Sequence, residues 1–103
     1  GELKLLQKLV LHKNDISKLP KNLEQLKWLK ILDLSQNKLK DITIDFSKLK
    51  YLEELYLNKN QLQKLPTSIL ELRKLKLLYV KGNEISDIPK KIREAKHISK
   101  KDF

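Results

Sequence analysis

The sequence predicts an α/β solenoid of about four coils, stacked so that short parallel strands line a concave face and short helical or irregular segments run along the convex one. Two observations carry the prediction. Asn14, Asn37, Asn60 and Asn83 recur at a constant interval of 23 residues, and shifting the chain by that interval aligns seven further columns over four repeats. All 28 positions in those columns are apolar, in a chain of 103 residues that is only 40% hydrophobic. A third observation sets the local geometry: the alternation around Leu9-Val10-Leu11 has period two, that of a strand with its leucines pointing inward. The chain is expected to be a single domain over 1–103, with repeats at 6–28, 29–51, 52–74 and 75–97 and partial ends at 1–5 and 98–103.

Each coil follows one order. Leu6, Leu29, Leu52 and Leu75 bring the chain back to the strand; Leu9, Leu32, Leu55 and Leu78 sit within it, followed by Leu11, Leu34, Leu57 and Val80. The asparagine falls where the chain turns sharply out of the strand and exposes backbone donors and acceptors inside the coil. An amide side chain both donates and accepts, so the four asparagines are expected to form a buried ladder serving their own turn and the neighbouring one. Ile16, Leu39, Leu62 and Ile85, then Leu19, Ile42, Leu65 and Ile88, continue the core. Pro20, Pro66 and Pro89 lack an N–H and preset the start of the outer segment. There Leu23, Phe46, Ile69 and Ile92, paired with Leu26, Leu49, Leu72 and Ala95, give the i, i+3 apolar spacing of a short helical turn. One such coil cannot bury its own leucines; stacking buries them continuously.

Repeat two departs from the pattern. Thr43 stands where the other repeats have proline, and Phe46 where they have an aliphatic residue. Thr43 and Ile44 are stiff at χ1, so this outer segment is expected to be less helical, with Ile44 and Leu70 outside the core. At the ends, Leu3 falls in the Leu26 column, and Ile98 and Phe103 keep the register of a fifth strand. Lys101 takes a leucine position there; lysine is rarely buried, so it is expected to mark where the solenoid stops. No N-terminal cap is recognisable, which leaves open a longer chain, self-association through the ends, or marginal capping.

The repeat LxxLxLxxNxLxxLPxxLxxLxx resembles that of the leucine-rich repeat family over essentially the whole chain, and is most similar to the 23-residue repeats of bacterial proteins such as those of Leptospira. The proline-bearing turn also resembles that of intracellular plant and animal members. The resemblance implies a curved, right-handed solenoid that binds a protein partner through its concave sheet. For bacterial relatives it implies a secreted or surface-exposed protein in contact with host or cell-surface proteins; for intracellular relatives, a cytoplasmic signalling scaffold.

Composition narrows the chemistry. There is no cysteine, hence no disulfide and no thiolate metal site, and Gly1 and Gly82 are the only glycines, too few for a phosphate-cradling loop. No run approaches the roughly 18 apolar residues of a membrane helix, and the opening Gly1-Glu2-Leu3-Lys4 does not read as a signal peptide. His12 and His97 occupy different parts of the repeat, Glu53 and Glu54 point to opposite sides of a strand, and Asp41 and Asp45 have no third ligand nearby. The expectation is a non-enzymatic protein with no catalytic residue, metal, cofactor or small-molecule substrate. Net charge is +10, but by repeat it runs +3, +2, +1 and +3, and 21 of the 23 basic residues are lysine, a well-hydrated point charge without arginine's planar fork. This reads as a solvated surface. The alternative is a basic surface, or the basic stretch 90–101, holding polyanions electrostatically; the expectation is against nucleic acid and membrane partners.

The functional signal lies in apolar residues outside the core columns. Trp28 and Tyr51 share one column and are expected to pack on each other. Val10, Ile31, Tyr56, Leu77 and Tyr79 all fall at outward-pointing strand positions. Written as a grid, that face carries Lys8, Val10 and His12; Ile31, Asp33 and Ser35; Glu54, Tyr56 and Asn58; Leu77, Tyr79 and Lys81. With strands about 4.8 Å apart, Tyr56 and Tyr79 are neighbours. Aromatic residues beside an aliphatic one have the composition of an interface centre. The expected partner-binding set is Lys8, Val10, Ile31, Asp33, Glu54, Tyr56, Leu77, Tyr79 and Lys81. Tyr56, Tyr79 and Leu77 would supply buried contact, with the charged members setting orientation.

Overall fold

The computed structural model describes residues 5–103; Gly1 and Leu3 lie outside the described residues. Five strands form one parallel sheet in chain order: β1 (Lys8–Val10), β2 (Ile31–Asp33), β3 (Glu54–Tyr56), β4 (Leu77–Tyr79) and β5 (Lys100–Asp102). Pairing keeps the sequence interval throughout, with Lys8 opposite Ile31, Ile31 opposite Glu54, Glu54 opposite Leu77, and Leu77 opposite Lys100. A slip of one residue would turn every core leucine of a strand to solvent, so the buried face enforces this register. At the starts of β2, β3 and β4 one carbonyl of the preceding coil accepts two N–H groups, as Gln7 does from Lys30 and Ile31, and Glu53 from Lys76 and Leu77.

The outer segments are short 3-10 turns at Lys21–Gln25, Phe46–Lys48 and Thr67–Glu71, and a single α-helical turn, α1, at Lys90–Arg93. Pro20, Pro66 and Pro89 each stand at the N-cap, the first two in extended conformation and Pro89 with φ of −52° and ψ of 137°. In coil two the proline is missing and the turn starts later and is shorter. Asp45 takes the N-cap, and its carboxylate accepts from Ser47 N–H and Oγ. Those two bonds hold the Asp45 carboxyl below the usual range. Neighbouring coils complete the cap: Glu24 accepts from Asp45 N–H at 2.7 Å and Ser68 Oγ from Phe46 N–H at 3.0 Å. The delayed start corrects the expectation for Ile44, which turns inward and is 3% exposed, because the slack ahead of Asp45 lets the chain bury it instead of starting a helix there. Leu70 is partly buried against the same core.

All 28 column residues join one continuous hydrophobic core, extended by Ile44 and Ile98. The sheet runs past the fourth coil. Lys101 pairs with Leu78 inside β5, half-buried, and its Nζ donates to the carbonyl of Arg93 at 2.6 Å. A lysine in the leucine column thus closes the last described coil by satisfying an otherwise open helix-end carbonyl.

Where the chain leaves each strand, the residue before the asparagine is left-handed: Lys13, Gln36 and Lys59 have φ of 58°, 56° and 58°, and Gly82 has 83°. Only Gly82 adopts this conformation without a Cβ penalty. A Cβ built there would lie 3.2 Å from Lys59 N, so Gly82→Ala should destabilise by about 1 kcal/mol in urea unfolding. An equal or higher midpoint would show that this turn carries no strain.

Candidate recognition surface

The outward side chains of the sheet form three rows. The first runs Lys8, Ile31, Glu54, Leu77 and Lys100, and the second Val10, Asp33, Tyr56, Tyr79 and Asp102. Beyond the strand ends lie His12, Ser35, Asn58 and Lys81. Three-residue strands keep the rows straight, and the left-handed turn aims the third row.

Tyr56 and Tyr79 meet edge to face with ring centroids 5.4 Å apart, a geometry favoured by the ring quadrupoles. Tyr56 Oη donates to Glu54 Oε1 at 2.7 Å. That bond, followed by partial burial, pushes the Tyr56 hydroxyl up to about 12, so it stays protonated throughout the physiological range. The Tyr56 ring is therefore held twice, by the edge-to-face contact with Tyr79 and by Glu54 at its tip. Asp33 is likewise committed: Oδ1 accepts from Ser35 N–H and Oγ, while Oδ2 lies 3.4 Å from His12 Nδ1. Asp33, Glu54, Tyr56, Tyr79 and Ile31 are half-buried, whereas Lys8, Val10 and Lys81 are exposed at the margins.

Leu77 requires a correction. It is 8% exposed and already belongs to the floor of the face, so it offers little new contact area. The reason is β5, which brings Lys100 into register along the side that a four-strand grid leaves open. Asn58 was outside the expected set, yet its Oδ1 is buried without a hydrogen-bond partner among the described residues. Its outward polar position in the grid was the only sequence signal.

Beside this face runs the asparagine column. Asn60 Oδ1 accepts from Leu39 N–H at 3.1 Å, and Nδ2 donates to the carbonyls of Leu34 and Leu57. Asn37 and Asn83 repeat the arrangement one coil to either side. Asn14 does not fit the buried reading: it is exposed and donates only to Leu11 and His12 of its own turn. No earlier coil among the described residues supplies the partners that the other asparagines use.

A family model described as leucine rich repeat matches residues 4–62. None of the curated proteins matches the chain. Among solved structures, a leucine-rich repeat protein of Leptospira interrogans superposes with a TM-score of 0.82 at 42% identity, over 95% of this chain and 25% of its own. An internalin of Listeria monocytogenes gives a TM-score of 0.80 at 29% identity, over 95% of this chain and 28% of its own. The chain thus spans about a quarter of the length of these two proteins.

Proposed function

Because the chain belongs to the leucine-rich repeat family, whose fold is typical of protein–protein interaction modules, we propose that it is a non-enzymatic recognition unit that holds a protein partner on its concave sheet. The observation that carries this reading is the preorganised tyrosine pair at the centre of the sheet. A ring already locked by Glu54 and Tyr79 loses little freedom on binding, which is the cost that weakens most interfaces. Tyr79 Oη has no hydrogen-bond partner among the described residues and can donate to the partner. Lys8, Val10, Ile31, Asp33, Glu54 and Lys81 frame the pair with charges of both signs, an arrangement that selects orientation more than it adds affinity.

Affinity capture with the wild-type chain and with Tyr56→Ala/Tyr79→Ala tests this. The double variant should lose a captured protein by at least roughly thirtyfold in affinity, as expected for a central aromatic hot spot. Its stability should fall by only about 1–3 kcal/mol, the loss of one aromatic pair and one hydrogen bond, since neither ring lies in the core. Capture should also survive a rise to physiological salt, because the contact is mainly apolar. A partner retained by the double variant would place the binding site elsewhere.

A further inference from the structure

A second surface lies on the flank where each outer segment returns to its strand. Counted by coil the positive charge is spread out, but counted by column it is not: Lys27, Lys50, Arg73 and Lys96 stand at one repeat position in four successive coils. All four are exposed, and none lies within ion-pair distance of a carboxylate among the described residues. Like charges stacked at solenoid spacing repel one another, so the row is unfavourable to the fold taken alone. Immediately after it in sequence runs a second column, Trp28, Tyr51 and Lys74. Trp28 and Tyr51 stack with centroids 5.1 Å apart and planes at 18°, and Lys74 Nζ sits 4.9 Å from the Tyr51 centroid. The pair nevertheless stays 48% and 37% exposed. Lys48 adds a further exposed cation; Glu24, the nearest acid of the first coil, is taken up by Lys21 and Asp45 N–H. Glu71 and Glu94 stand beside the row only in the last two coils.

We infer that this flank is a docking surface for an anionic lipid bilayer, a revision of the expectation against membranes. Lysines on flexible stems suit loosely placed headgroup phosphates, whereas arginine's fork suits fixed ones, and three of the four cations in the row are lysine. The aromatic geometry points the same way. Single-stranded nucleic acid stacks its bases on open ring faces. Here the facing sides of Trp28 and Tyr51 are covered by each other and the far side of Tyr51 by Lys74, so three of the four ring faces are closed to a base. Ring edges with an N–H or O–H tip are what the headgroup region of a bilayer accommodates. This surface is separate from the concave sheet and does not depend on the reading given to it.

Trp28 is the only tryptophan, so its own fluorescence reports insertion. The whole chain is mixed with vesicles of phosphatidylcholine alone, or of phosphatidylcholine with phosphatidylserine, and both sedimentation and emission are followed. Binding is expected only to the phosphatidylserine vesicles, with the Trp28 emission moving to shorter wavelength and the partition falling as salt is raised. At roughly fivefold per cation, Lys27→Gln/Lys50→Gln/Arg73→Gln/Lys96→Gln should lower the partition by several hundredfold, with an unchanged or raised melting temperature confirming the fold. The Tyr56→Ala/Tyr79→Ala variant should bind vesicles as the wild type does, so the two surfaces succeed or fail separately. Equal binding to both vesicle types, or full binding by the quadruple variant, overturns the inference. So does tighter capture of a single-stranded oligonucleotide than of the vesicles, which would assign the row to nucleic acid.

Discussion

Phe46→Ala should destabilise the chain by about 3–5 kcal/mol and lower its melting temperature by more than about 12 °C, followed by circular dichroism. Phe46 is 0% exposed and stands in the column that Leu23, Ile69 and Ile92 occupy in the other coils. Its ring supports the one outer segment that has no proline and only three residues of 3-10 turn. Truncation would remove the largest fully buried side chain and leave a cavity under a segment whose neighbours are held from both sides, by Glu24 and by Ser68. A backbone so braced cannot collapse to fill the space, which puts the cost at the upper part of the range for aromatic truncations. Phe46→Leu, which restores the aliphatic type found in the first coil, should recover most of the loss. A drop of less than about 4 °C for Phe46→Ala would mean that the coil repacks freely.

The second expectation concerns the ladder. Asn60→Ala should cost roughly 1–3 kcal/mol, read as a shift in urea midpoint, because it orphans the buried N–H of Leu39 and removes a donor from the carbonyls of Leu34 and Leu57. Asn14→Ala removes the same amide from the same repeat position, yet should change stability by no more than about 0.5 kcal/mol, since Asn14 is exposed and bonds only within its own turn. The difference between the two variants is the sharper measurement. Equal effects would show that the asparagine acts through its local turn and not by joining successive coils.

A single repeat position therefore carries different energies along the chain, and this marks where sequence reasoning reached its limit. Asn14, Asn37, Asn60 and Asn83 are equivalent in the 23-residue register, but each of the last three draws partners from the preceding coil. Leu77 shows the same dependence on position. It read as contact surface with four strands in view and became floor once β5 lay beside it. Ile44 read as an outer residue because its column elsewhere holds Lys21, Thr67 and Lys90; it went inward because the cap moved to Asp45.

The candidate sites divide in the same way. That Tyr56 and Tyr79 are neighbours, and that Lys27, Lys50, Arg73 and Lys96 share a row, follows from arithmetic on the register. That Tyr56 is locked through its hydroxyl to Glu54, that Asn58 keeps an unpaired buried oxygen, and that Trp28 and Tyr51 stay half open although stacked does not. By itself the sequence determined the coil length, the strand register, the inward columns and the face each outward residue occupies, because apolar period and spacing are properties of a line of residues. The tertiary structure alone decided how far each of those residues is buried and which polar groups satisfy one another, because each is a relation between side chains of different coils.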